Sequence, residues 1–287
     1  MTATDALRAA LAGDGHERAL TLDRAFQGLP DTAHGGSVLA AFDVVAGGRG
    51  PRTLRGDYLK RVPLGVALRL RVTDGGRRSS LLDEAGVLVE GTVTSGDDGG
   101  GAVVGDVAPF VDGRVTPAPS ADAMPLPVTR GCFACGIDNA LGLRVQLRAD
   151  ESAVGGTWTP RPGFRRDDGT LAPLALTTLL DEAAFWLGAL ATGESGMTTE
   201  LRVTLHAEPK ADAAITISGQ RADVRPRAGD ARYWDTAVGA RDEDGRLVAS
   251  ATITFVAVRG AARRLATAML AVNSADVLRR VFPAYVQ

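Results

Sequence analysis

The feature that most constrains the fold is a weak internal repeat, in which an apolar segment of helical periodicity precedes several alternating segments twice along the chain. The two apolar segments span residues 37 to about 46 and 174–190. After each one, the apolar period changes from that of a helix to that of a strand. The alternating segments are TLRGDYLKRV, VALRLRVTD, RRSSLLDEAG and VLVEGTVTS in the first half, and TTELRVTLHAE, AAITISGQRADV, ARYWDTAVGARDED and RLVASATITFVAV in the second. Each half is therefore predicted to be one apolar helix with about four antiparallel strands.

A single curved sheet cannot cover an apolar helix on all sides, so each half is predicted to wrap its sheet around its helix and to pair with the other half edge to edge. The fold class is therefore predicted to be α+β. The predicted boundaries are an N-terminal domain over 1–115, a Gly/Asp/Pro-rich linker over 116–130, a C-terminal domain over 131–260 and a helical tail over 261–287.

Composition excludes several classes of function. The net charge of −2 is spread along the chain of 287 residues, which predicts no nucleic-acid partner. No stretch reaches the roughly 18 uncharged apolar residues of a membrane span, and the N-terminus lacks the features of a signal peptide. The two cysteines lie close together, which is typical of a reduced compartment. A cytoplasmic protein without a membrane span is expected.

Three segments resemble the hotdog-fold acyl-CoA thioesterase superfamily. FQGLPDTAHGGSVLAAFD, residues 26–43, resembles the HGG turn that leads into the hotdog helix. GCFACGIDNALGLRVQL, residues 131–147, resembles the opening CFxCGxxNPxGL of many single-domain members, with Ala140 where Pro is usual, and LLDEAAFW, residues 179–186, resembles the acidic helix motif. The resemblance is to two-domain members. It implies tandem hotdog domains, each a curved antiparallel sheet around a long helix, that pair as a pseudo-dimer and act on acyl thioesters.

The HGG turn supplies candidates for stabilising negative charge on a thioester carbonyl oxygen. A helix N-terminus has free backbone N–H groups and a positive dipole end. Gly35 and Gly36 are therefore candidate oxyanion donors, and glycine also lets the backbone approach a substrate closely. The alternative is an ordinary loop that enters the helix. His34 is a candidate for orienting the turn through hydrogen bonds rather than for direct catalysis.

The acid is expected to come from the opposite half. The resemblance implies a motif glycine eight residues before the helix acid, as Gly35 precedes Asp43. Eight residues span about 12 Å along a helix, and the resemblance implies that paired antiparallel helices bring one unit's donor to the other unit's acid. One composite site then combines Gly35 and Gly36 with Asp181. The other combines Pro173, which has no N–H to donate, with Asp43, for which an ordinary hydrogen-bonded role is the favoured alternative.

Other candidates concern the substrate. Lys60, Arg61, Arg165 and the adjacent Arg166 are cations suited to the phosphates of CoA. Thr199 is one of several threonines near helix or strand starts that could hold a water or the acid, although such threonines are more often structural.

The pair Cys132 and Cys135 has the spacing of zinc ligands. No second CxxC follows, and the histidine that comes later is His206. A buried turn is therefore favoured over a metal site, and neither metal nor cofactor is predicted.

Three functions compete at this stage. The first is hydrolysis of an acyl thioester, carried by CoA or by a carrier protein, with Asp181 as general base or nucleophile and Glu182 as the fallback acid. The second is a non-catalytic acyl-CoA-binding protein, which would tolerate Asp181→Asn. The third is hydration or dehydration of an enoyl thioester, ranked lowest because no motif pairs a histidine with either acid. Whether double hotdog units assemble further into a homo-oligomer stays open.

Overall fold

The computed structural model describes residues 1–96, 118–120 and 122–287. The predicted boundary at residue 115 and the first residues of the predicted linker lie outside the described residues. The helices are α1 (Ala3–Ala9), α2 (Gly35–Ala46), α3 (Pro173–Thr192), α4 (Ala261–Met269) and α5 (Ala275–Val281). The strands are β1 (Leu11–Ala12), β2 (Glu17–Leu20), β3 (Arg52–Tyr58), β4 (Leu68–Thr73), β5 (Arg78–Asp83), β6 (Gly86–Ser95), β7 (Met124–Pro125), β8 (Arg148–Ala149), β9 (Ala153–Trp158), β10 (Gly196–Leu205), β11 (Ile215–Gln220), β12 (Arg225–Pro226), β13 (Tyr233–Arg241) and β14 (Leu247–Ala257).

The ends of the two long helices follow from local sequence. α2 starts two residues before the predicted segment, directly after His34, whose Nδ1 lies 3.2 Å from the amide nitrogen of Gly36. α3 starts at Pro173, a position where the missing N–H of proline costs nothing because the first helical N–H groups have no partner. Both helices end at glycines in the left-handed region, Gly47 at φ 64° and Gly193 at φ 67°.

The strands of both halves form one antiparallel sheet. In the described part of the chain the strand order is β1-β2-β4-β5-β6-β3-β10-β14-β13-β11-β9-β8-β7, with β12 paired to β13. The two halves meet at β3 and β10, whose register runs from Arg52 opposite Leu205 to Asp57 opposite Glu200. This pairing satisfies the backbone groups of two strands that would otherwise be exposed sheet edges.

Helices α2 and α3 cross at very close range. A Cβ atom on Gly36 would lie 2.5 Å from the carbonyl oxygen of Thr177 and 2.7 Å from the Cα of Thr178. The Thr177 hydroxyl donates to the Gly36 carbonyl at 2.8 Å. The absence of a side chain at Gly36 is therefore what lets the first turn of α2 lie against α3.

Helix α3 is the apolar axis of the second half. By length and composition this helix could cross a membrane, but most of its residues are buried inside the protein. It packs against β10, β11, β13 and β14. The burial matches a core helix wrapped by its own sheet, as the sequence predicts, rather than a membrane span.

The structure adds one strand to each half before its long helix. These strands are β2 and β9, so each half contributes five main strands rather than the predicted four. β2 has four residues, and Gly155 and Gly156 interrupt the apolar alternation of β9, so neither has a clear strand signature. The predicted helical tail is two helices, because the chain turns after Leu270 and Ser274 caps the second one.

Candidate active site

The first turn of α2 meets the middle of α3 at a buried polar corner. The Gly36 N–H donates to Asp181 Oδ2 at 3.0 Å, and His34 Nδ1 lies 3.2 Å from the same oxygen. A Cβ atom on Gly35 would lie 2.8 Å from that oxygen. The structure therefore brings together the three residues of the composite site predicted from sequence, Gly35, Gly36 and Asp181, and places His34 beside them, with the turn from the first half and the acid from the second.

Asp181 is held as a carboxylate. Its side chain is buried, and Thr198 on β10 donates to Oδ1 at 2.7 Å. Burial raises the pKa of Asp181, but hydrogen bonds from His34, Thr198 and the Gly36 N–H, together with the charge of His34, outweigh burial and lower it. The group is therefore ionised at neutral pH.

His34 lies between two acids. Its Nε2 is 3.6 Å from Glu182 Oε2, on the side opposite Asp181. Burial lowers the pKa of His34, but hydrogen bonds to Asp181 and Glu182 and the charge of Asp181 raise it well above its ordinary value. A proton on Nδ1 then points to Asp181, and the Gly36 N–H is satisfied by the carboxylate rather than by the ring. Trp186 Nε1 fixes Glu182 by donating to Oε1 at 2.9 Å.

Tyr58 supports the glycine turn from β3. Its hydroxyl donates to the Gly35 carbonyl at 2.6 Å. Burial, followed by the charges of Asp181 and Asp57, raises the pKa of Tyr58 well above its ordinary value, so the hydroxyl stays a donor. The Gly35 N–H makes no hydrogen bond to the residues that the structure describes, as expected for the first amide of a helix.

A pocket opens next to this corner, with about 830 Å³ of empty space including its mouth. Both halves and α4 contribute to its wall. The apolar part of the wall includes Leu29, Val62, Phe185, Leu265 and Met269.

Lys60 and Arg61 line the same pocket and are exposed. The Arg61 guanidinium lies 3.0 Å from the Met197 sulfur, and the Lys60 ammonium 3.4 Å from the Ala85 carbonyl oxygen. Two of the four cations predicted to bind CoA phosphates are thus at this pocket.

The other two predicted cations lie elsewhere. Arg165 is exposed, forms an isolated bridge with Leu171 before α3, and lies outside the pocket lining. Arg166 pairs with Asp168 and Glu208. Neither residue is near the composite corner.

The threonine at the acid is Thr198 and not Thr199. The pairing of β10 with β14 has a bulge between Thr198 and Glu200, and Thr199 is the extra residue. Its hydroxyl donates to the Thr254 carbonyl on β14 at 3.2 Å. The alternation of apolar and polar residues did not reveal this bulge, which changes the side of the sheet to which the neighbouring side chains point.

Asp43, the other candidate acid, is in a buried ion pair outside the pocket lining. Arg52 Nε donates to Oδ1 at 2.6 Å and Arg52 Nη2 to Oδ2 at 2.8 Å. The Asp43 side chain is 7% exposed and that of Arg52 is 1%. Both carboxylate oxygens are therefore bound by a guanidinium, which agrees with the hydrogen-bonded alternative favoured from sequence.

The cysteine motif forms a second wall of the pocket. Cys132 and Cys135 are both buried and line it, and Cys132 Sγ is 4.0 Å from Glu182 Oε2. Asn139 organises the turn after them, since its amide donates to the Ala25 carbonyl at 2.7 Å and its oxygen accepts from the Gly142 N–H at 2.9 Å. The predicted buried turn is confirmed by this geometry. The atoms of His34, Cys132 and Glu182 that could bind a metal lie within 4.8 Å of one another.

Comparisons with known proteins identify the fold. No family profile matches the sequence, and no curated protein does. Solved structures do match. One is an acyl-CoA thioesterase II from Mycobacterium marinum (15% identity, 91% of this chain and 99% of that chain, TM-score 0.55). Another is a hot dog fold protein of unknown function from Alicyclobacillus acidocaldarius (16%, 89% and 97%, 0.54). A third is GphF dehydratase 1 (14%, 86% and 96%, 0.52). The chain is thus an α+β protein with the hotdog fold.

Proposed function

We propose that this protein is an acyl-CoA thioesterase that hydrolyses an acyl thioester to the free acid and CoA. The observation that carries the proposal is the contact between the Asp181 carboxylate and the glycine turn at the start of α2, beside an apolar pocket with cations at its edge. We interpret the two halves as tandem hotdog units, over about 1–115 and 131–260, that pair as a pseudo-dimer. The corner then draws its donor and its acid from different units.

The reaction needs hydrogen-bond donors at the carbonyl oxygen. The N–H of Gly35 has no partner among the described residues, and that of Gly36 points at the carboxylate. A thioester carbonyl group that approaches the turn would accept from both amides once Asp181 moves toward its own reaction partner. Charge that develops on this oxygen is stabilised by the amides and by the helix dipole.

Asp181 is the proposed base or nucleophile. As a base, it takes a proton from a water whose oxygen attacks the carbonyl carbon. As a nucleophile, its oxygen attacks that carbon and water later cleaves the resulting anhydride. In both routes the carbon–sulfur bond breaks, and the CoA sulfur takes up a proton. The protonated His34 adjoins Asp181 and fixes its orientation, which we propose as its role.

Lys60 and Arg61 are the proposed contacts to CoA phosphates, and the apolar wall is the proposed acyl site. Arg165 and Thr199 have no part in this proposal, because the first is remote from the pocket and the second faces β14. Asp43 has none either, because Arg52 occupies both of its oxygens.

The test measures thiol release from short, medium and long acyl-CoAs by wild type and by Asp181→Asn. We expect the variant to lose about 10²-fold or more in kcat, the usual contribution of a positioned acid–base group. Asp43→Asn is the matched control, because it neutralises the corresponding acid of α2. It should keep its activity when assayed at a temperature where circular dichroism shows it folded. Equal activity of Asp181→Asn and wild type would refute the assignment.

A second candidate is hydration or dehydration of an enoyl thioester, favoured by one observation that the sequence did not reveal. The imidazole of His34 and the carboxylate of Asp181 are in contact at 3.2 Å, although 147 positions separate them in the chain. The sequence ranked this function lowest because it showed no motif that pairs the two. The same panel should therefore include a 2-enoyl-CoA, with loss of the conjugated double bond followed by absorbance. Hydration without thiol release would replace the first proposal with this one.

Binding without turnover is the third outcome. Such a protein would hold an acyl-CoA in the pocket without needing Asp181 as an ionised acid. Protein that binds acyl-CoA in a calorimeter, yet releases no thiol and hydrates no enoyl-CoA, would be assigned as an acyl-CoA-binding protein.

A further inference from the structure

The back of the pocket contains a cluster of soft and borderline metal ligands whose facing atoms the proposed reaction does not use. His34, Cys132 and Glu182 are buried there, and one potential ligand atom of each lies within 4.8 Å of those of the other two. We infer that these three residues form a zinc site, with His34 Nε2, Cys132 Sγ and Glu182 Oε2 as ligands and a fourth position open to the pocket. This inference is independent of the proposed function, because it holds whether or not the pocket hydrolyses a thioester.

The distances between ligand atoms are close to those of a tetrahedral zinc site. Zinc bonds of about 2.0–2.2 Å to nitrogen and oxygen and about 2.3 Å to sulfur place ligand atoms about 3.4–3.8 Å apart. His34 Nε2 and Glu182 Oε2 are 3.6 Å apart, and Glu182 Oε2 and Cys132 Sγ are 4.0 Å apart. A contraction of a few tenths of an ångström in side-chain positions would complete the geometry.

The sulfur ligand is held by a tight loop. The Ala134 N–H approaches Cys132 Sγ at 3.3 Å, as an amide does when it stabilises a thiolate. The turn closes at Gly136, where a Cβ would lie 2.2 Å from the Cys132 carbonyl oxygen. Glycine there lets the loop curl tightly behind Cys132. Cys135 lies in the same loop, is buried and lines the pocket, but it is not one of the three clustered ligands.

Two of the ligands are already oriented by further hydrogen bonds. Metal-binding histidines commonly place their other ring nitrogen against a carboxylate, and metal-binding carboxylates are themselves hydrogen-bonded. His34 Nδ1 is 3.2 Å from Asp181, and Trp186 donates to the distal oxygen of Glu182 at 2.9 Å. The remaining atoms, His34 Nε2 and Glu182 Oε2, are the ones that face Cys132.

Zinc binding would release protons and join distant parts of the chain. The imidazolium of His34 would lose its Nε2 proton to solvent, and the Cys132 thiol would lose its proton, because only the deprotonated forms bind the metal. The ion would then connect the turn before α2 to the cysteine loop and to α3. The sequence argued against zinc because CxxC was alone, whereas the fold supplies the missing ligands from residues far away in the chain.

The test measures zinc bound by the full-length protein with no acyl substrate present. We expect about one equivalent of zinc per chain by elemental analysis after purification or reconstitution, in line with a site of three protein ligands and one open position. Cobalt added to the metal-free protein should give thiolate-to-metal charge-transfer absorption. Cys132 should react with a thiol reagent only after chelation, which is measured on the Cys135→Ser variant.

Variants locate the site. Cys132→Ser should lose the charge-transfer band and Cys135→Ser should keep it, and Trp186→Phe should weaken zinc binding by about 10-fold through the loss of the Glu182 bond. His206→Gln is the matched control, since that histidine bonds Ser250 away from the pocket. Wild type that binds neither metal at micromolar concentration and whose Cys132 reacts at once with a thiol reagent would overturn the inference. So would a band that survives Cys132→Ser. Neither result depends on any enzymatic activity.

Discussion

The starts of the two long helices have equivalent places in their halves and opposite surroundings. α2 begins with Gly35 after His34, and it opens into the pocket with a Gly35 amide that has no hydrogen-bond partner in the described part of the chain. α3 begins with Pro173 after Ala172, with no side-chain cap. The acids that lie eight residues after these two starts, Asp43 and Asp181, also have different surroundings. Asp181 contacts a donor turn, whereas Asp43 is enclosed by a guanidinium.

Under the proposed function, this difference separates a reactive site from a stabilising contact. A reactive site needs hydrogen-bonding groups that are not fully satisfied, and among the described residues the Gly35 amide is one. A stabilising contact needs all of its polar groups satisfied. Arg52 provides this, because it binds both oxygens of Asp43 and also donates to the Gly50 carbonyl at 2.6 Å.

The largest expected effect comes from disrupting the buried ion pair of Asp43 and Arg52. Arg52→Met should lower the free energy of unfolding by about 3–5 kcal/mol, because it leaves Asp43 buried and unpaired. Denaturant-induced unfolding measures this change. The double variant Arg52→Met/Asp43→Leu should recover most of the loss, since an apolar pair replaces both charges. A loss below about 1 kcal/mol in the single variant would mean that solvent reaches this ion pair.

A smaller effect is expected from adding a methyl group to either glycine in the first turn of α2. Gly36→Ala should lower the free energy of unfolding by about 1–3 kcal/mol, because the methyl meets the backbone of Thr177 and Thr178. Gly35→Ala should lower it by only about 1 kcal/mol and should instead reduce turnover, because its methyl meets a side-chain oxygen of Asp181 rather than backbone atoms. Thermal unfolding measures the stability of both variants, and the thiol-release assay measures their turnover. If Gly35→Ala were the more destabilising and remained fully active, the turn would be purely structural.

The smallest expected effect concerns the acid's second hydrogen bond. Thr198→Val removes the donor to Asp181 Oδ1 and should reduce kcat by about 10-fold, the worth of a hydrogen bond to a charged group. Thr199→Val is the neighbouring control and should leave kcat within about two-fold of wild type, because it loses only a bond to a strand carbonyl. Steady-state kinetics of both variants decide between them. The reverse order would restore Thr199 as the residue at the substrate.

Much of the fold was predictable because it depends on local periodicity. α2, α3 and eight strands have apolar patterns long enough to identify. Each of the two long helices also ends at a glycine, Gly47 or Gly193. The pairing of Gly36 with Asp181 followed from the resemblance together with helix length. β2 and β9 did not follow, because short or glycine-containing edge segments have little pattern.

The rest of the site depended on contacts between distant residues. Tyr58 reaches the turn from β3, and His34 meets Glu182 only because the helices cross. The bulge at Thr199 depends on how β10 pairs with β14. Arg52 resembles an ordinary surface cation until the fold buries it against Asp43. Such contacts have no sequence spacing from which they could be inferred.

The division of the corner between the halves has a consequence for how such a chain can diverge. In an assembly of two identical subunits, each substitution appears twice, so a residue that inactivates one site also inactivates the symmetric site. In this chain each position is encoded once. Here a guanidinium is paired with Asp43 whereas Asp181 contacts the glycine turn, and one long helix begins at a proline whereas the other begins at a glycine. In the tandem arrangement that we propose, covalent continuity lets the two units carry different residues at corresponding positions.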